Sequence, residues 1–256
     1  MNAIASLYRY PVKGLSPEHL DRVELSAGDG FPLDRRMAIT DGLWLFDSAT
    51  YEPRPKANFL MLARNEALAA LRTQVNADGT ELAIASPDGQ RIVARIDDEA
   101  GVDALTAFLR SYLGDKVAGQ PRLIRSQSHR FTDVSVVSPA MMSAVSLINM
   151  ASVRELEQAM ACAVDPLRFR ANIYFDGGSA WEEHEWLGRE IAFGDIRLRI
   201  VKRTTRCPAT NVDPESGARD LDVPRALHEH FGHRDMGVYA EVVQGGTLRP
   251  GDAMRA

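Results

Sequence analysis

Short segments of alternating polar and apolar residues, separated by turns, recur along most of this 256-residue chain. Such alternation is typical of strands that bury one face. The turns at 76–79 and 87–89 each contain a glycine where the backbone would need a positive φ. In the first half, the pattern predicts strands at 4–9, 22–26, 37–40, 58–63, 71–75, 82–86 and 91–94.

Fewer segments show helical spacing. Residues 102–113 repeat apolar side chains at helical intervals, and Gly114 follows as a stop signal. Residues 64–71 are rich in alanine and leucine, which leaves a helical turn open there as an alternative to strand. In the second half we predict strands at 134–138, 172–175, 190–193, 196–201 and 238–243, and helices within 138–148, at 152–163 after a capping box, and at 224–231.

Strands dominate both halves, and we therefore expect a mainly β protein with some α+β elements and a barrel-like architecture. The segment 119–128 is polar and basic, contains a proline, and is the candidate linker. The sequence thus predicts a smaller β-rich domain over residues 1–120. A β-barrel-like domain with peripheral helices would follow over residues 121–256.

The overall composition excludes several classes of protein. A net charge of −5 gives no global attraction to nucleic acid or to an anionic membrane, so neither partner is expected. Two cysteines do not make a disulfide framework. No apolar run approaches the length of a membrane-spanning helix, and the first residues lack the features of a signal peptide. A reducing cytoplasm is the expected compartment.

Cys207 ends the most basic stretch of the chain, within five residues of Lys202, Arg203 and Arg206. Nearby cations favour the thiolate, which is the form of cysteine that attacks electrophiles and binds soft metals. Pro208 follows directly, so the chain should leave the preceding strand and present the sulfur in a loop. From this segment alone, a half-buried structural cysteine remains an equal alternative.

Other basic residues also lie at the ends of predicted strands. Arg168 and Arg170 are spaced so that an extended backbone points both the same way, and their forked donors suit a phosphate or another planar anion. Taken alone, this pair would more often form surface salt bridges. Together with Lys13, Arg35 and Cys207, however, the pair could form a basic pocket for a phosphorylated, multiply anionic cofactor.

Three further patterns give weaker indications. The spacing of His228, His230 and His233 does not match the usual zinc patterns, so solvated histidines at a helix end are expected. Residues 181–186 carry two tryptophans and three carboxylates, which a paired-carboxylate hydrolase could use, but a loop anchored by tryptophan is favoured. The phosphate-loop, dinucleotide-binding and nucleophile-elbow motifs do not occur.

Four motifs, in this order, resemble those of the two-domain MOSC proteins, named for the C-terminal domain of molybdenum cofactor sulfurase. The amidoxime-reducing components of mitochondria and the bacterial N-hydroxylaminopurine-resistance proteins are members of that family. The resemblance covers nearly the whole chain, and Ala171 replaces the proline usual in the third motif. The motifs lie at 10–14, 33–36, 168–172 and 206–214, and the last, Arg-Cys-Pro-Ala-Thr-Asn-Val-Asp-Pro, is the most specific.

The resemblance implies a pterin-bound molybdenum cofactor of the molybdopterin type. Cys207 would be both the protein ligand to molybdenum and the catalytic residue. Cys162 matches no motif and is interpreted as structural. The residues implied to bind the pterin and its phosphate, or to line the same pocket, are Lys13, Arg35, Arg168, Arg170, Asn172, Thr205 and Arg206.

The implied activity is an oxidoreductase that reduces small N-hydroxylated compounds such as amidoximes or hydroxylaminopurines. No further cysteines follow that could ligate an iron–sulfur cluster, so electrons would come from a separate ferredoxin, flavoprotein or cytochrome. The alternative is a carrier, in which Cys207 bears a persulfide or anchors the cofactor for delivery without reductase activity. Pyridoxal-phosphate chemistry is a third and weaker option, because in the sulfurases that activity resembles a different domain.

Overall fold

An eight-stranded sheet organises the protein, and strands from both halves of the chain contribute to it. The structure is a computed structural model that describes residues 2–117 and 119–255. Along the chain, the strands are β1 (Ala3–Arg9), β2 (Glu18–Leu20), β3 (Val23–Leu25), β4 (Met37–Ile39), β5 (Arg72–Val75), β6 (Glu81–Ala85), β7 (Arg91–Arg95), β8 (Leu123–Arg125), β9 (Val145–Asn149), β10 (Ile173–Asp176), β11 (Glu190–Phe193), β12 (Ile196–Thr205), β13 (Asp235–Gln244), β14 (Gly246–Leu248) and β15 (Met254–Arg255).

The large sheet has the order β15-β11-β12-β13-β9-β10-β1-β2. Strands β9 and β10 pair in parallel, whereas its other neighbours pair antiparallel. Register shifts interrupt the long pairing of β12 with β13, and such bulges increase the twist that curls a sheet. Smaller sheets pair β14 with β3, β4 with β8, and β6 with both β5 and β7. The predicted mainly β, barrel-like fold class is confirmed.

The helices are short and lie between the strands. The helix predicted at 102–113 begins earlier, at Glu99. The Asp98 side chain caps it by accepting a hydrogen bond from the Gly101 backbone amide. It ends at Gly114, as predicted. None of the helices in the described ranges combines the length and hydrophobicity needed to cross a membrane. The α-helices are α1 (Glu99–Leu113), α2 (Pro139–Met142), α3 (Met150–Met160) and α4 (Val223–Phe231), and the 3₁₀ helices are Lys56–Asn58, Glu66–Ala70, Gly114–Lys116, Pro166–Phe169, Glu182–Trp186 and Pro208–Asn211.

Two of the four hydrophobic clusters among the described residues are the largest and pack the sheets and helices together. One lies against the large sheet and includes Leu7, Phe175 and Ile200, and the other includes Leu82 and Leu105 from β6 and α1. All five side chains are fully buried, and burial of such a side chain stabilises a fold by about 1.5–3 kcal/mol. Because β1 pairs with β10, a strand from the first half lies in the same sheet as strands from the second half. The division of the chain near residue 120 stays a prediction.

Residues 58–63 were expected to form a strand, and this prediction is wrong. Leu60 is buried, as the alternating pattern suggested, but the segment meets β4 only at its beginning and then turns. The Asn65 side chain accepts a hydrogen bond from the Met61 amide, and this local bond competes with strand pairing. The helical turn left open for the next segment is present as the 3₁₀ helix Glu66–Ala70.

The strand predicted at 134–138 is also wrong, because the segment is a turn. The Val137 amide donates to the carbonyl oxygen of Val134, so the hydrogen bond closes locally instead of reaching another strand. The side chains of Val136 and Val137 are about half exposed, at 48% and 59%. The strand was predicted from the apolar residues at 134–138, but these do not alternate and therefore do not specify a strand.

Two further expectations differ from the structure in detail. Residues 119–128 contain β8, which pairs antiparallel with β4, so the interpretation of this segment as a linker is wrong. Helix α3 begins at Met150 rather than at Ser152, because the Asn149 side chain accepts a hydrogen bond from the Ala151 amide and caps the helix. Ser152 is buried inside the helix instead.

Candidate functional site

A cavity of about 300 Å³ lies between segments from both halves of the chain, and it is the candidate functional site. Segments that are far apart in sequence reach it, among them those that follow β1 and β12 and those that precede β4 and β10. The structure brings all eight residues singled out from the sequence to this one cavity. They are Lys13, Arg35, Arg168, Arg170, Asn172, Thr205, Arg206 and Cys207.

Cys207 lies two residues beyond the end of β12 and is partly exposed at the cavity. Its backbone is extended, and Pro208 then begins a 3₁₀ helix, so the chain turns directly after the sulfur. The amide and the hydroxyl of Thr210 both donate to the Cys207 carbonyl oxygen at 3.0 Å. These bonds fix the backbone that presents the thiol, whereas Cys162 is exposed after α3.

Arg206 holds the position of its neighbour Cys207. Its guanidinium donates to the Met236 carbonyl oxygen on β13 and, at 2.9 Å, to the Phe169 carbonyl oxygen. The guanidinium also lies 5.3 Å from the centre of the Phe169 ring, within the range of a cation–π contact. Burial lowers the pKa of Arg206, because the fold removes water from a charge whose hydrogen-bond acceptors are neutral carbonyl oxygens.

Arg35 and Arg170 meet over the Tyr10 ring, each with its guanidinium 4.3 Å from the ring centre. Arg35 donates to both carboxylate oxygens of Asp34 at 2.7 Å. Arg170 donates to the Leu15 carbonyl oxygen, and burial together with the nearby Arg35 charge lowers the pKa of Arg170 to about 10. The two guanidinium groups are therefore held in fixed places at the wall of the cavity.

Arg168 connects this wall to the segment that follows Cys207. Its side chain is 3% exposed and donates to the carbonyl oxygen of Asn211 and to the carboxylates of Asp213 and Asp220. The third donor, the Nε–H group, is buried and has no hydrogen-bond partner in the part of the chain that the structure describes. Arg168 thus lines the cavity, while its terminal nitrogens hold the loop that follows Cys207.

Asn172 and Thr205 use their side chains mainly for structure. The Asn172 amide oxygen accepts from the amide and hydroxyl of Ser146 on β9, and its nitrogen donates to the Tyr8 carbonyl oxygen on β1. Asn172 thereby ties three neighbouring strands together at the cavity wall. The exposed Thr205 hydroxyl donates to Asp235 at 2.6 Å, across the pairing of β12 with β13.

A carboxylate and a second lysine, not singled out from the sequence, complete the cavity wall beside Lys13. The Lys13 ammonium is buried and donates to the Phe131 carbonyl oxygen at 3.0 Å and to Asp133. Asp133 also pairs with the Lys56 ammonium at 3.2 Å. Burial opposes ionisation of Asp133, but the two ammonium groups outweigh it and hold its pKa well below the ordinary value.

The charge of the cavity wall is strongly positive although the chain as a whole is acidic. Seven basic side chains line the cavity against two carboxylates. Such a concentration of cations attracts and binds anions locally. The basic residues are Lys13, Arg35, Lys56, Arg168, Arg170, Lys202 and Arg206, and the carboxylates are Asp34 and Asp133.

The other candidate patterns lie outside this arrangement. In the described parts of the chain, no group of three or more His, Cys, Asp or Glu side chains is placed to hold a metal ion, and this includes the histidines around α4. Residues 181–186 comprise the 3₁₀ helix Glu182–Trp186 and its N-cap, and the tryptophans pack inward, Trp186 against Phe175 at 5.3 Å and Trp181 against Phe231 at 4.6 Å. This packing agrees with the anchored-loop interpretation.

Comparisons with known proteins identify the second half of the chain. A family model described as "MOSC domain" matches residues 126–255, just over half of the sequence. The human protein "Mitochondrial amidoxime-reducing component 1" is 25% identical over 180 residues, which cover 64% of this chain and 53% of that protein. The rat "Mitochondrial amidoxime reducing component 2" is 31% identical over 122 residues, or 43% of this chain and 36% of that protein.

The bovine protein "Molybdenum cofactor sulfurase" is 25% identical over 262 residues, which cover 89% of this chain and 29% of that protein. The chain therefore spans about half the length, or less, of these curated relatives. Among solved structures, the YUAD protein from Bacillus subtilis is similar with a TM-score of 0.44 and 14% identity, over 99% of this chain and 94% of that one.

Proposed function

This chain belongs to the MOSC domain family, and on that premise we propose that its cavity binds a molybdenum cofactor of the molybdopterin type and reduces small N-hydroxylated compounds. The observation that carries the proposal is the presence of one partly exposed thiol among seven basic side chains in a single cavity. A thiolate is a soft ligand suited to a sulfur-rich metal centre. Guanidinium and ammonium groups are the side chains that bind phosphate.

Three buried polar groups without a partner support the fit of an anionic guest. The Nε–H group of Arg168 and the hydroxyls of Thr132 and Thr204 belong to residues of the cavity wall and have no hydrogen-bond partner among the described residues. A buried polar group without a partner costs about 1–3 kcal/mol. A guest with acceptor oxygens or nitrogens next to these donors would remove that cost, and a phosphorylated pterin has both.

Cys207 would be the protein ligand to the metal and the catalytic residue. When bound, the cofactor supplies a two-electron redox centre. The chain's own residues would bind and orient it, and Arg35 and Arg170 suit this role because their guanidinium groups are already fixed over Tyr10. The proposed cofactor-binding residues are Lys13, Arg35, Arg168, Arg170, Asn172, Thr205 and Arg206.

The proposed substrate enters the same cavity beside Cys207. Reduction of an N-hydroxyl group consumes two electrons and two protons and yields the amine and water. Met61, Leu62, Val134 and Ala209 give the cavity an apolar side that would contact the carbon skeleton of such a substrate. The electrons would come from a separate ferredoxin, flavoprotein or cytochrome. The similarity to amidoxime-reducing components supports this substrate class.

A carrier that delivers the cofactor or its sulfur is the alternative, and the sulfurase relative that aligns with 89% of the chain favours keeping it. The test uses protein purified from a host that makes the cofactor. The wild type, Cys207→Ala and the control Cys162→Ala would be compared for molybdenum and pterin per chain. Reduction of benzamidoxime to benzamidine would be followed with reduced viologen as the electron donor.

We expect the wild type and Cys162→Ala to contain the cofactor and to turn over, and Cys207→Ala to lose both properties. Retention of the cofactor by the wild type without turnover across several N-hydroxylated compounds would favour the carrier. If Cys207→Ala bound molybdenum and reduced benzamidoxime as the wild type does, the assignment of Cys207 would be wrong.

A further inference from the structure

Arg219 hydrogen-bonds two segments of the cavity wall to each other. Its Nη1 group donates at 3.3 Å to the carbonyl oxygen of Pro208, the residue directly after Cys207. Its Nη2 group donates to the carbonyl oxygens of Leu62 at 3.0 Å and of Ala63 at 2.9 Å. One guanidinium group thus connects the residues beside the thiol to a segment from the first half of the chain.

A carboxylate from the first half holds the same guanidinium. Glu66 accepts from the Arg219 Nη2 group at 3.2 Å, at the start of the 3₁₀ helix Glu66–Ala70. The two side chains are only 35% and 32% exposed. Arg219 is therefore fixed by a charged partner as well as by carbonyl oxygens, and charge-assisted hydrogen bonds are stronger than neutral ones.

The loop that follows Cys207 also packs directly on the first half. Gly217 has a φ of 75°, and a Cβ atom there would lie 2.9 Å from the Glu66 carbonyl oxygen, which is closer than real Cβ atoms approach. Val212 belongs to the same hydrophobic cluster as Leu62. Residues 208–219, the Cys207 loop, are thus seated on the first half by packing as well as by hydrogen bonds.

The junction between the two segments forms part of the apolar side of the cavity. Met61 and Leu62 line the cavity from the first half, and Ala209 lines it from the Cys207 loop. The guanidinium groups of Arg35 and Arg170, by contrast, are held together over one tyrosine ring. A change at the junction should therefore alter the apolar side of the cavity more than its basic wall.

We propose that Arg219 is a positioning residue that sets the spacing between Leu62 and Ala209, and thereby the fit of the carbon skeleton of the substrate. The part of this inference that concerns the substrate rests on the proposed function. The hydrogen bonds of Arg219 do not, because they join parts of the protein itself. Without Arg219, the Cys207 loop would keep its packing but lose the bonds that fix its distance from the first half.

The first test compares two amidoximes of different size, with protein from a cofactor-producing host and reduced viologen as the electron donor. The ring of benzamidoxime can contact the apolar side, whereas the methyl group of acetamidoxime covers little of it. Arg219→Met should lower the ratio of kcat/KM for benzamidoxime to that for acetamidoxime about fivefold, mainly through the KM of benzamidoxime, as expected when one contact is lost. Neither the folded fraction nor the cofactor content affects this ratio, so a general loss of structure would not change it.

Two further variants and a control define the cause of this effect. In Arg219→Lys the ammonium group can still donate to the carbonyl oxygens of the first half, so the ratio should return to within about twofold of the wild type. Gly217→Ala keeps Arg219 but forces the loop away from Glu66, and it should lower the ratio as well. The matched control is Lys116→Met, because Lys116 pairs with the same Glu66 carboxylate at 3.8 Å from a place that is 64% exposed, and its ratio should not change.

The second test uses cofactor-free protein, so its result does not depend on the proposed function. The amide of Val212 donates to the Ala209 carbonyl oxygen, and the amide of Asn65 donates to that of Met61. Hydrogen exchange of peptides that contain these amides should be about fivefold faster in Arg219→Met, because local opening of the junction becomes easier. Exchange in Lys116→Met should equal that of the wild type.

An unchanged selectivity ratio or unchanged exchange in Arg219→Met would overturn the proposal. It would also be overturned if Lys116→Met reproduced the effect or if Arg219→Lys did not restore the ratio. Should circular dichroism show that Arg219→Met does not fold, the same criteria apply to Gly217→Ala. If the wild type reduces neither amidoxime, the proposed function fails and the substrate part of this inference fails with it, whereas faster exchange would still show that Arg219 joins the two segments.

Discussion

The Arg35 guanidinium donates a hydrogen bond of 2.7 Å to the backbone carbonyl oxygen of Arg170. Both residues have a left-handed backbone, with φ of 49° and 52°. Such a conformation costs a residue with a side chain roughly 1–2 kcal/mol, so the surrounding contacts must offset it. The fully buried ring of Tyr10 contacts both guanidinium groups and is the common element of this arrangement.

Two substitutions of Tyr10 should therefore separate the contribution of its ring to stability from that of its hydroxyl group. Tyr10→Leu removes both cation–π contacts and leaves a cavity, so we expect a loss of about 3 kcal/mol in the free energy of unfolding. Tyr10→Phe keeps the ring and should cost less than about 1 kcal/mol. Urea unfolding at pH 7 measures both variants. Equal losses in the two variants would show that the ring contacts do not stabilise the two arginines.

Arg168 provides a second prediction, because it ties down the segment after Cys207 through Asp213 and Asp220. Arg168→Met removes a buried cation and frees two carboxylates that are partly exposed and can regain water. We expect the free energy of unfolding to fall by about 2–3 kcal/mol, below the usual cost of breaking a fully buried pair. Limited proteolysis should become faster between residues 207 and 220.

The matched control for this prediction is Arg225→Met. Arg225 also pairs with a carboxylate, that of Glu229 at 2.8 Å, but both side chains are more than half exposed. An exposed pair of this kind contributes about 0–1 kcal/mol, so the control should unfold nearly as the wild type does. A similar loss in both variants would mean that Arg168 acts only as a general surface charge.

Much of the fold could be predicted from the sequence where local patterns and tertiary packing agree. The hairpin at 190–201 alternates cleanly around Gly194, and β11 and β12 pair there as predicted. Cys207 was also placed correctly just beyond a strand, because β12 before it carries clear alternation. Arg168 and Arg170, expected on an extended segment, instead lie in and directly after the 3₁₀ helix Pro166–Phe169. Convergence of these segments on one cavity follows from the topology, which the motifs implied through their resemblance to a family.

Lys56 and Asp133 could not be found in this way. Lys56 follows Pro55 in a segment without periodicity, and Asp133 precedes an apolar run that was predicted as a strand but forms a turn. Asp133 pairs with Lys13 and with Lys56, and each pair joins residues more than seventy positions apart. Such contacts depend on the assembled fold, so neither residue type nor spacing signals them in advance.

Glu183 gives a third prediction, since its carboxylate is fully buried and pairs with no basic side chain among the residues that the structure describes. It accepts hydrogen bonds from the Asn149 amide at 2.9 Å and from the Ser152 hydroxyl at 3.0 Å, and burial raises its pKa. Glu183→Ala would leave these donors unsatisfied and create a cavity, so we expect a loss of about 3 kcal/mol. Glu183→Gln keeps an acceptor oxygen and should lose less.

Thermal and urea unfolding of these variants would be compared with Glu185→Ala, a change at an exposed carboxylate two residues away. That control should remain within about 0.5 kcal/mol of the wild type, as surface substitutions usually do. A loss in Glu183→Ala no larger than in this control would show that the buried hydrogen bonds contribute nothing to stability.

His184, next to Glu183, should make the protein less stable in mild acid. Burial, assisted by the charges of Arg203 and His233, lowers the pKa of His184 to about 4 from the ordinary 6.5. Between these two values, the unfolded chain binds a proton that the folded protein excludes, so stability rises with pH and is lost as pH falls from 6.5 towards 4. The full effect is about 3 kcal/mol.

His184→Phe tests this pH dependence, because phenylalanine can keep the packing against Trp181 but cannot bind a proton. Urea unfolding would be measured for the wild type and the variant at several values between pH 7 and pH 4. Other groups, including Glu183, titrate in both proteins, so the difference between the two curves isolates His184. As pH falls through this range, the wild type should lose about 3 kcal/mol more than the variant does. Parallel curves would mean that protonation of His184 does not oppose folding.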